Sequence, residues 1–203
     1  MKKIGKIIIS VFVLLFVLVG CSNNMSTPTN KVEEFLGKYQ SMDEDVLKQL
    51  DQVIKDDDTM NDDQKDKYKA LMEKQYQNLS YKIENEDIEG NSATVDVEIE
   101  VLDYATTASK AQEYYNEHKE EIEEKYNDKK EDNDNSLENA GDDVLQAVEE
   151  SVAYINYKLE ELETANDTVT YDMTFYLTKE DGEWILQDIS DLDRKKLHGL
   201  YEG

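Results

Sequence analysis

Cys21 is the only cysteine of the 203-residue chain, and its surroundings make its thiol the first candidate for chemistry. An apolar run from Ile7 to Val19 precedes it, and the small residue Gly20 stands directly before it. A lone cysteine cannot form a disulfide within the chain, so packing alone must stabilise the fold. The thiol is left for another modification.

The residues before Cys21 have the three parts of an export signal: a positive start with three lysines, an apolar stretch and a small residue at the cut. The apolar stretch is shorter than the about 20 residues that a membrane-spanning helix needs. The motif Leu18-Val19-Gly20-Cys21 resembles the lipobox of bacterial lipoprotein signal peptides. In that class a diacylglyceryl group is attached to the cysteine thiol and the signal is cut before it. Two acyl chains hold a protein firmly on a membrane.

This resemblance predicts the organisation of the chain. Residues 1–20 are expected to be a removed signal peptide, and 21–30, which are small and polar around Pro28, a flexible tether. Residues 31–203 are long enough for one domain with its own core. We therefore expect a lipid-anchored protein on the outer face of the cytoplasmic membrane.

Other residues with chemical potential lack partners at useful spacing. Neither His118 nor His198 has a second histidine or a thiol at metal-ligand spacing, and no glycine-rich phosphate loop or nucleophile elbow is present. An acidic run partly fits a calcium loop, with Asp132, Asp134 and Asp143 at the first, third and twelfth places and Ser136 at the fifth. Its sixth place, where the turn requires glycine, is Leu137. No metal, cofactor or catalytic residue is therefore predicted.

The charge of the chain limits its partners. The formal net charge is −26, and removal of residues 1–20, with three lysines and no acidic residue, would bring it to −29. Such a field repels nucleic acids, which are excluded as partners, and also anionic lipids and wall polymers. Solubility on a crowded surface is the simplest role for this charge.

Helical periodicity dominates the region after the tether. Three apolar stripes with helical spacing follow one another, beginning near Val32, Val46 and Tyr68. The predicted N-terminal caps are Thr29 or Asn30 for the first helix, Ser41 with Glu44 for the second, and Asn61 with Gln64 for the third. Three helices are therefore expected before the first strand.

The periodicity then changes to alternation, which predicts strands with one buried face. Residues 93–101 alternate strictly, and 79–88 are expected to pair with them through the turn at 89–92. A second hairpin is predicted from 168–178 and 184–189, and Asp181-Gly182 between them suits a type I′ turn. Ser190 is expected to cap a short last helix, with Gly199 at its end.

Between the two hairpins, residues 106–163 predict a helical insertion. Its first helix has a thin apolar face that includes Ala111, Tyr115 and Ile122, and its second has a heptad-like seam from Leu145 to Leu162. The run 127–139 is expected to be a loop. The two helices are predicted to pack on each other or on the sheet.

The order of elements and the motif Asp181-Gly182-Glu183-Trp184-Ile185-Leu186 resemble the nuclear transport factor 2-like lipoproteins of Gram-positive bacteria. The resemblance implies an α+β domain in which helices pack on a bent antiparallel sheet of about four strands, with a cavity in the concave face. The residues that would line this cavity are Tyr81, Val97, Ile99, Tyr171, Met173, Phe175 and Trp184. The same residues could instead fill the core.

The function expected from these observations is a non-enzymatic binding or protein-interaction module, attached to the membrane through a lipid on Cys21. An envelope protein or a small apolar ligand would be its partner. The alternatives are a carrier of a small apolar ligand in the concave face of the sheet and, on fold analogy alone, an enzyme.

Overall fold

The computed structural model describes residues 26–57, 59–127 and 142–203. The described elements, in chain order, are α1 (Pro28–Gln40), α2 (Glu44–Lys55), α3 (Asp62–Asn78), β1 (Ser80–Glu89), β2 (Ser92–Leu102), α4 (Tyr104–Glu117), α5 (Lys119–Asn127), α6 (Asp142–Glu163), β3 (Thr168–Glu180), β4 (Glu183–Leu186) and α7 (Asp191–Leu197). The predicted α+β class is confirmed. Cys21, the predicted signal peptide and the tether before residue 26 lie outside the described residues.

The first two helices begin at other residues than predicted. The cap of α1 is Thr27, whose side chain accepts a hydrogen bond from the Asn30 amide, so the helix starts inside the predicted tether. The cap of α2 is Asp43, which accepts from the Asp45 amide. Ser41 is not this cap because it ends α1, donating from its hydroxyl to the Lys38 carbonyl.

The start of α3 is as predicted. The Asn61 side chain accepts from the Gln64 amide at 3.0 Å, and the Gln64 side chain accepts from the Asn61 amide at 3.0 Å. This reciprocal pair satisfies two donors that a helix start leaves free. Gln64 also donates to Asn156 in α6 at 3.0 Å, so the cap links α3 to the insertion.

The four strands form one antiparallel sheet in the order β1-β2-β3-β4. The insertion joins neighbouring strands, because β2 pairs with β3 from Ser92 opposite Thr178 to Leu102 opposite Thr168. Both hairpin turns therefore lie at one end of the sheet, and the insertion leaves from the other. The predicted turn between β3 and β4 is confirmed, since Asp181 and Gly182 have φ of 49° and 91°.

One face of the sheet is buried and the other is open. The inner residues of β2 and β3 pack against Val32, Phe35 and Leu36 of α1 in a single hydrophobic cluster. The outer face presents threonines and carboxylates instead: Thr174 donates to Asp96 at 2.8 Å and Thr168 to Glu100 at 2.7 Å. This is the one-sided burial that strict alternation predicts.

The insertion differs from the prediction at its start and in its middle. It begins at Tyr104, capped by Asp103, because the Asp103 carboxylate accepts from the Thr106 amide at 2.9 Å. His118 then divides the expected single helix into α4 and α5. Residues 128–141, which include most of the predicted loop 127–139, lie outside the described residues.

Helix α6 uses two faces. Ile155, Leu159 and Leu162 of the predicted seam pack with residues of α2 and α3. Ala153 and Tyr157, which are off the seam, pack against α4 and α5. The predicted packing of the insertion on itself is confirmed, but the seam serves mainly the N-terminal helices. The side chains of Leu145 and Val148 are outside the described part of the chain.

A buried glutamine joins α3 to the end of β2. Gln75 is 0% exposed; its Oε1 accepts from the Leu102 amide at 2.9 Å and its Nε2 donates to the Leu102 carbonyl at 3.1 Å. The side chain thus satisfies both backbone groups where β2 ends. Directly beyond, the Ala105 amide donates to the Gly199 carbonyl at 2.7 Å, which brings the C-terminal segment to the same point.

We expect Gln75→Leu to lower the free energy of unfolding by about 2–4 kcal/mol, because it leaves a buried amide and a buried carbonyl without partners. Urea denaturation measures this loss. Gln49→Leu, at an exposed position of α2, is the matched control and should change stability by less than about 0.5 kcal/mol. Equal effects of the two substitutions would show that the Gln75 hydrogen bonds contribute nothing.

Gly199 gives a second prediction at the same point. It has φ of +67°, and a Cβ there would lie 2.0 Å from the Leu102 carbonyl oxygen and 2.3 Å from Gln75 Nε2. Gly90 has a similar φ of +62° but open space around it. Gly90→Ala should therefore cost only about 1 kcal/mol for its backbone conformation. Gly199→Ala should cost several times more in the same denaturation experiment, and similar losses would contradict the close approach.

Candidate functional site

The seven predicted cavity residues come together on the inner face of the sheet. Val97, Ile99, Met173, Phe175 and Trp184 are 0–5% exposed and belong to the hydrophobic cluster beneath α1, and the two tyrosines pack against it. Phe175 meets Phe35 of α1 edge to face, with ring centroids 5.8 Å apart. The predicted cavity residues are thus packed in the core. Only Tyr171 of the seven borders one of the two cavities found in the described part of the chain.

Asp172 of β3 and Asp188, which follows β4, are the carboxylates nearest to these residues in the sequence, and both are exposed. Asp172 lies on the outer face, as its alternation predicts, opposite Glu98 of β2. Neither carboxylate faces the cluster beneath α1.

A cleft of about 600 Å³ lies between the three helices of the insertion. Helix α4 contributes one side, α5 another and α6 the third. The lining residues are Lys110, Ala111, Tyr114, Glu121, Ile122, Lys125, Tyr157 and Glu161. Its volume is within the range of small-molecule sites in proteins.

Aromatic rings dominate one side of this cleft. Tyr114 is 46% exposed although it is a large apolar residue, and its ring stacks on His118 with centroids 4.0 Å apart. Tyr157 of α6 is the other aromatic neighbour of Tyr114. Their ring centroids are 5.9 Å apart, with an interplanar angle of 29°. The apolar floor is buried, since Ala111 and Ile122 are 3% and 5% exposed. A flat ligand would find an apolar floor and ring faces here.

Some charged residues of the cleft have side-chain partners and others do not. Lys125 forms an ion pair with Glu160 at 3.2 Å, and Glu160 also accepts from the Tyr126 hydroxyl at 2.5 Å. Burial, followed by this carboxylate, raises the pKa of Tyr126. By contrast, Lys110, Glu121 and Glu161 form no side-chain ion pair or hydrogen bond with the described residues.

Glu161 lies close enough to the rings to affect them. Burial raises the pKa of Tyr157, and the carboxylate of Glu161 and the neighbouring Tyr114 raise it further. The Tyr157 hydroxyl therefore remains a neutral donor at physiological pH.

A second cavity of about 440 Å³ lies at the junction of α4 and the start of β3. Tyr171 borders it and donates from its hydroxyl to the Tyr201 carbonyl at 2.9 Å. Lys110 borders this cavity as well as the cleft. Its other charged residues are acidic: Asp103, Glu113 and Glu202. We regard the cleft as the better candidate site because it is the larger of the two and is enclosed by three helices.

The two histidines contact tyrosines and not other potential metal ligands. His118 stacks on Tyr114, and its Nδ1 is buried without a hydrogen-bond partner among the described residues. His198 lies 3.3 Å from the Tyr76 hydroxyl through its Nε2. Within the described ranges, no group of three or more His, Cys, Asp or Glu side chains is arranged to hold a metal ion. Asp132, Asp134 and Ser136 of the calcium pattern, and the side chain of Asp143, are outside these ranges.

The cleft is not evident from the sequence. Tyr114 and Lys110 stand among the charged residues of α4, and Tyr157 is not part of the seam of α6. The signal in the sequence that indicates it is a second set of apolar residues on α6, including Ala153 and Tyr157, which lies off the seam and shows that this helix packs in two directions.

Comparison with protein-family models, curated proteins and solved structures found no match to this chain. The resemblances to bacterial lipoproteins and to the nuclear transport factor 2-like fold family therefore stay predictions. Of the helices that the structure describes, none has the length and apolar character needed to cross a membrane.

His198 predicts a pH dependence of stability. Burial, and then the nearby Arg194, lowers its pKa from 6.5 to about 4 in the folded chain. The unfolded chain therefore binds an additional proton as the pH falls from 6.5 towards 4, and this proton favours unfolding. The contribution lost at pH 4.5 is about 2 kcal/mol relative to pH 7.

The measurement compares the unfolding free energy of the native chain and of His198→Gln at pH 7 and pH 4.5. Titration of the many carboxylates is common to both proteins, so the difference between them isolates the histidine. We expect the variant to lose about 2 kcal/mol less on acidification. Identical losses would contradict a neutral, buried His198.

Proposed function

We propose that this chain is a membrane-anchored surface lipoprotein whose α+β domain acts as a non-enzymatic binding module on the outer face of the cytoplasmic membrane. The anchor would be a lipid on Cys21. The observation that carries the binding role is the cleft of the insertion, where an exposed tyrosine and three charged side chains without a side-chain partner in the described part of the chain surround an apolar floor. Its partner would be an envelope protein or a small ligand.

The position of α1 supports this arrangement. Only six residues lie between Cys21 and Pro28, so a fully extended link would span at most about 25 Å. The start of α1 is fixed near the hairpin turns, because Thr29 donates from its amide at 2.8 Å and from its hydroxyl at 2.7 Å to Glu86 of β1. The end of the sheet with the turns would therefore be the one nearest the membrane.

The cleft would then be held away from the membrane. Strand β2 has 11 residues, which corresponds to about 35 Å, and it leads from the anchored end to Leu102, after which the insertion begins. A module with this polarity would present its cleft to molecules in the surrounding space. The alternative, a carrier of an apolar ligand in the concave face of the sheet, has less support because Val97, Ile99 and Phe175 are at most 1% exposed and packed.

Replacement of Cys21 tests the anchor. We expect the native chain, expressed in a bacterial host, to incorporate a labelled fatty acid and to partition into the detergent phase of membrane extracts. Cys21→Ala should abolish the label and release the domain, because no other thiol exists in the chain. The control is Ser22→Ala, which should retain both. Unchanged labelling and partitioning of Cys21→Ala would refute the lipoprotein assignment.

A further inference from the structure

We infer that the cleft between α4, α5 and α6 binds a small zwitterion with an aromatic side chain, either a free amino acid or a dipeptide. This inference deepens the proposed binding function and rests on it. It follows from three features of the lining: the ring faces, the distribution of charge, and the size of the space.

The rings define the body of the ligand. Tyr114 is stacked on His118 at 4.0 Å and faces Tyr157 at 5.9 Å, yet nearly half of it remains exposed to the cleft and the solvent. Another planar ring would extend this stack and bury the exposed surface of Tyr114. Aromatic pairs contribute about 0.5–1.5 kcal/mol beyond the area they bury.

The charges define the ends of the ligand. Lys125 is already paired with Glu160 at 3.2 Å, which leaves Lys110 as the cation available to a ligand carboxylate. Glu121 and Glu161, which form no side-chain pair with the described residues, are available to a ligand ammonium group. The three residues stand on three different helices, so the opposite charges are distributed around the mouth of the cleft.

A ligand with one charge would leave part of this lining unsatisfied. An anion would meet the repulsion of a chain with a net charge of −26 and of the two glutamates. The two glutamates would attract a simple cation, but such a ligand would leave Lys110 without a carboxylate to pair with. A zwitterion meets both requirements, and its zero net charge makes it indifferent to the long-range field of the protein.

The size of the cleft fits this class. A volume of about 600 Å³ accommodates an amino acid or a dipeptide with room for solvent, whereas a longer peptide would extend beyond the three helices. In the arrangement proposed above, such ligands would arrive from the surroundings and not from the lipid.

Titration of the full chain, purified from membranes in a non-ionic detergent, tests the inference. The probe is the dipeptide phenylalanyl-glycine with both ends free, and calorimetry measures its affinity. We expect saturable binding at one site per chain. Acetylation of the amino end, amidation of the carboxyl end, or replacement of the phenyl ring by cyclohexyl should each weaken binding at least tenfold.

Matched variants locate the site. Tyr114→Ala should weaken binding at least tenfold, whereas Tyr176→Ala, at an exposed tyrosine on the outer face of the sheet, should have no effect. Glu161→Gln should weaken the free dipeptide but leave the acetylated analogue unchanged, and Glu163→Gln, exposed at the end of the same helix, should behave as the native chain. Circular dichroism confirms that each variant is folded.

Several results would overturn the inference: no binding at millimolar concentration, equal affinity for the free and blocked dipeptides, or equal effects of Tyr114→Ala and Tyr176→Ala. These failures are distinct from failure of the proposed function. A chain that incorporates lipid at Cys21 but does not bind the dipeptide would keep its anchor assignment and lose the ligand class. A chain that binds the dipeptide but is not acylated would keep the ligand class and lose the anchor assignment.

Discussion

The pair of hydrogen bonds between Gln75 and Leu102 is the constraint on which the rest of the structure depends. It fixes α3 to the end of β2, where the chain leaves the sheet and enters the insertion. The Tyr104 hydroxyl adds a bond to the Leu71 carbonyl at 3.1 Å, and the close approach of Gly199 leaves no space for a side chain. Helices, sheet and C-terminal segment thus meet at one point, and the orientation of the cleft relative to the sheet is set there.

Much of the fold could be predicted because its signals are local. Strict alternation in β2 and β3 identified both strands and their buried faces, and Asp181-Gly182 identified the turn that joins β3 to β4. The reciprocal cap of Asn61 and Gln64 likewise requires only two side chains three residues apart. In these cases the spacing of residues in the sequence determines which of them are in contact.

What could not be predicted depends on contacts distant in the chain. Gln64 and Gln75 are polar residues of α3 that would be expected on its surface, but both are buried. Gln64 bonds to a side chain of α6, and Gln75 bonds to the backbone of β2. The cleft is hidden for the same reason, since Lys110, Glu121 and Glu161 lie on separate helices with no common spacing. The cap at Asp43 could not be predicted, because the preceding Met42 adopts a φ of 53°, a conformation with no local sequence signal.

The open outer face of the sheet has a consequence for how copies of the protein meet. An uncovered sheet face could pack on that of a second copy, but Asp96, Glu98, Glu100 and Asp172 occupy neighbouring positions on this face. Stacking two copies would bring these carboxylates within the screening length of about 8 Å at physiological salt. The carboxylates of the outer face therefore oppose stacking of two copies through this face, and the repulsion strengthens as ionic strength falls.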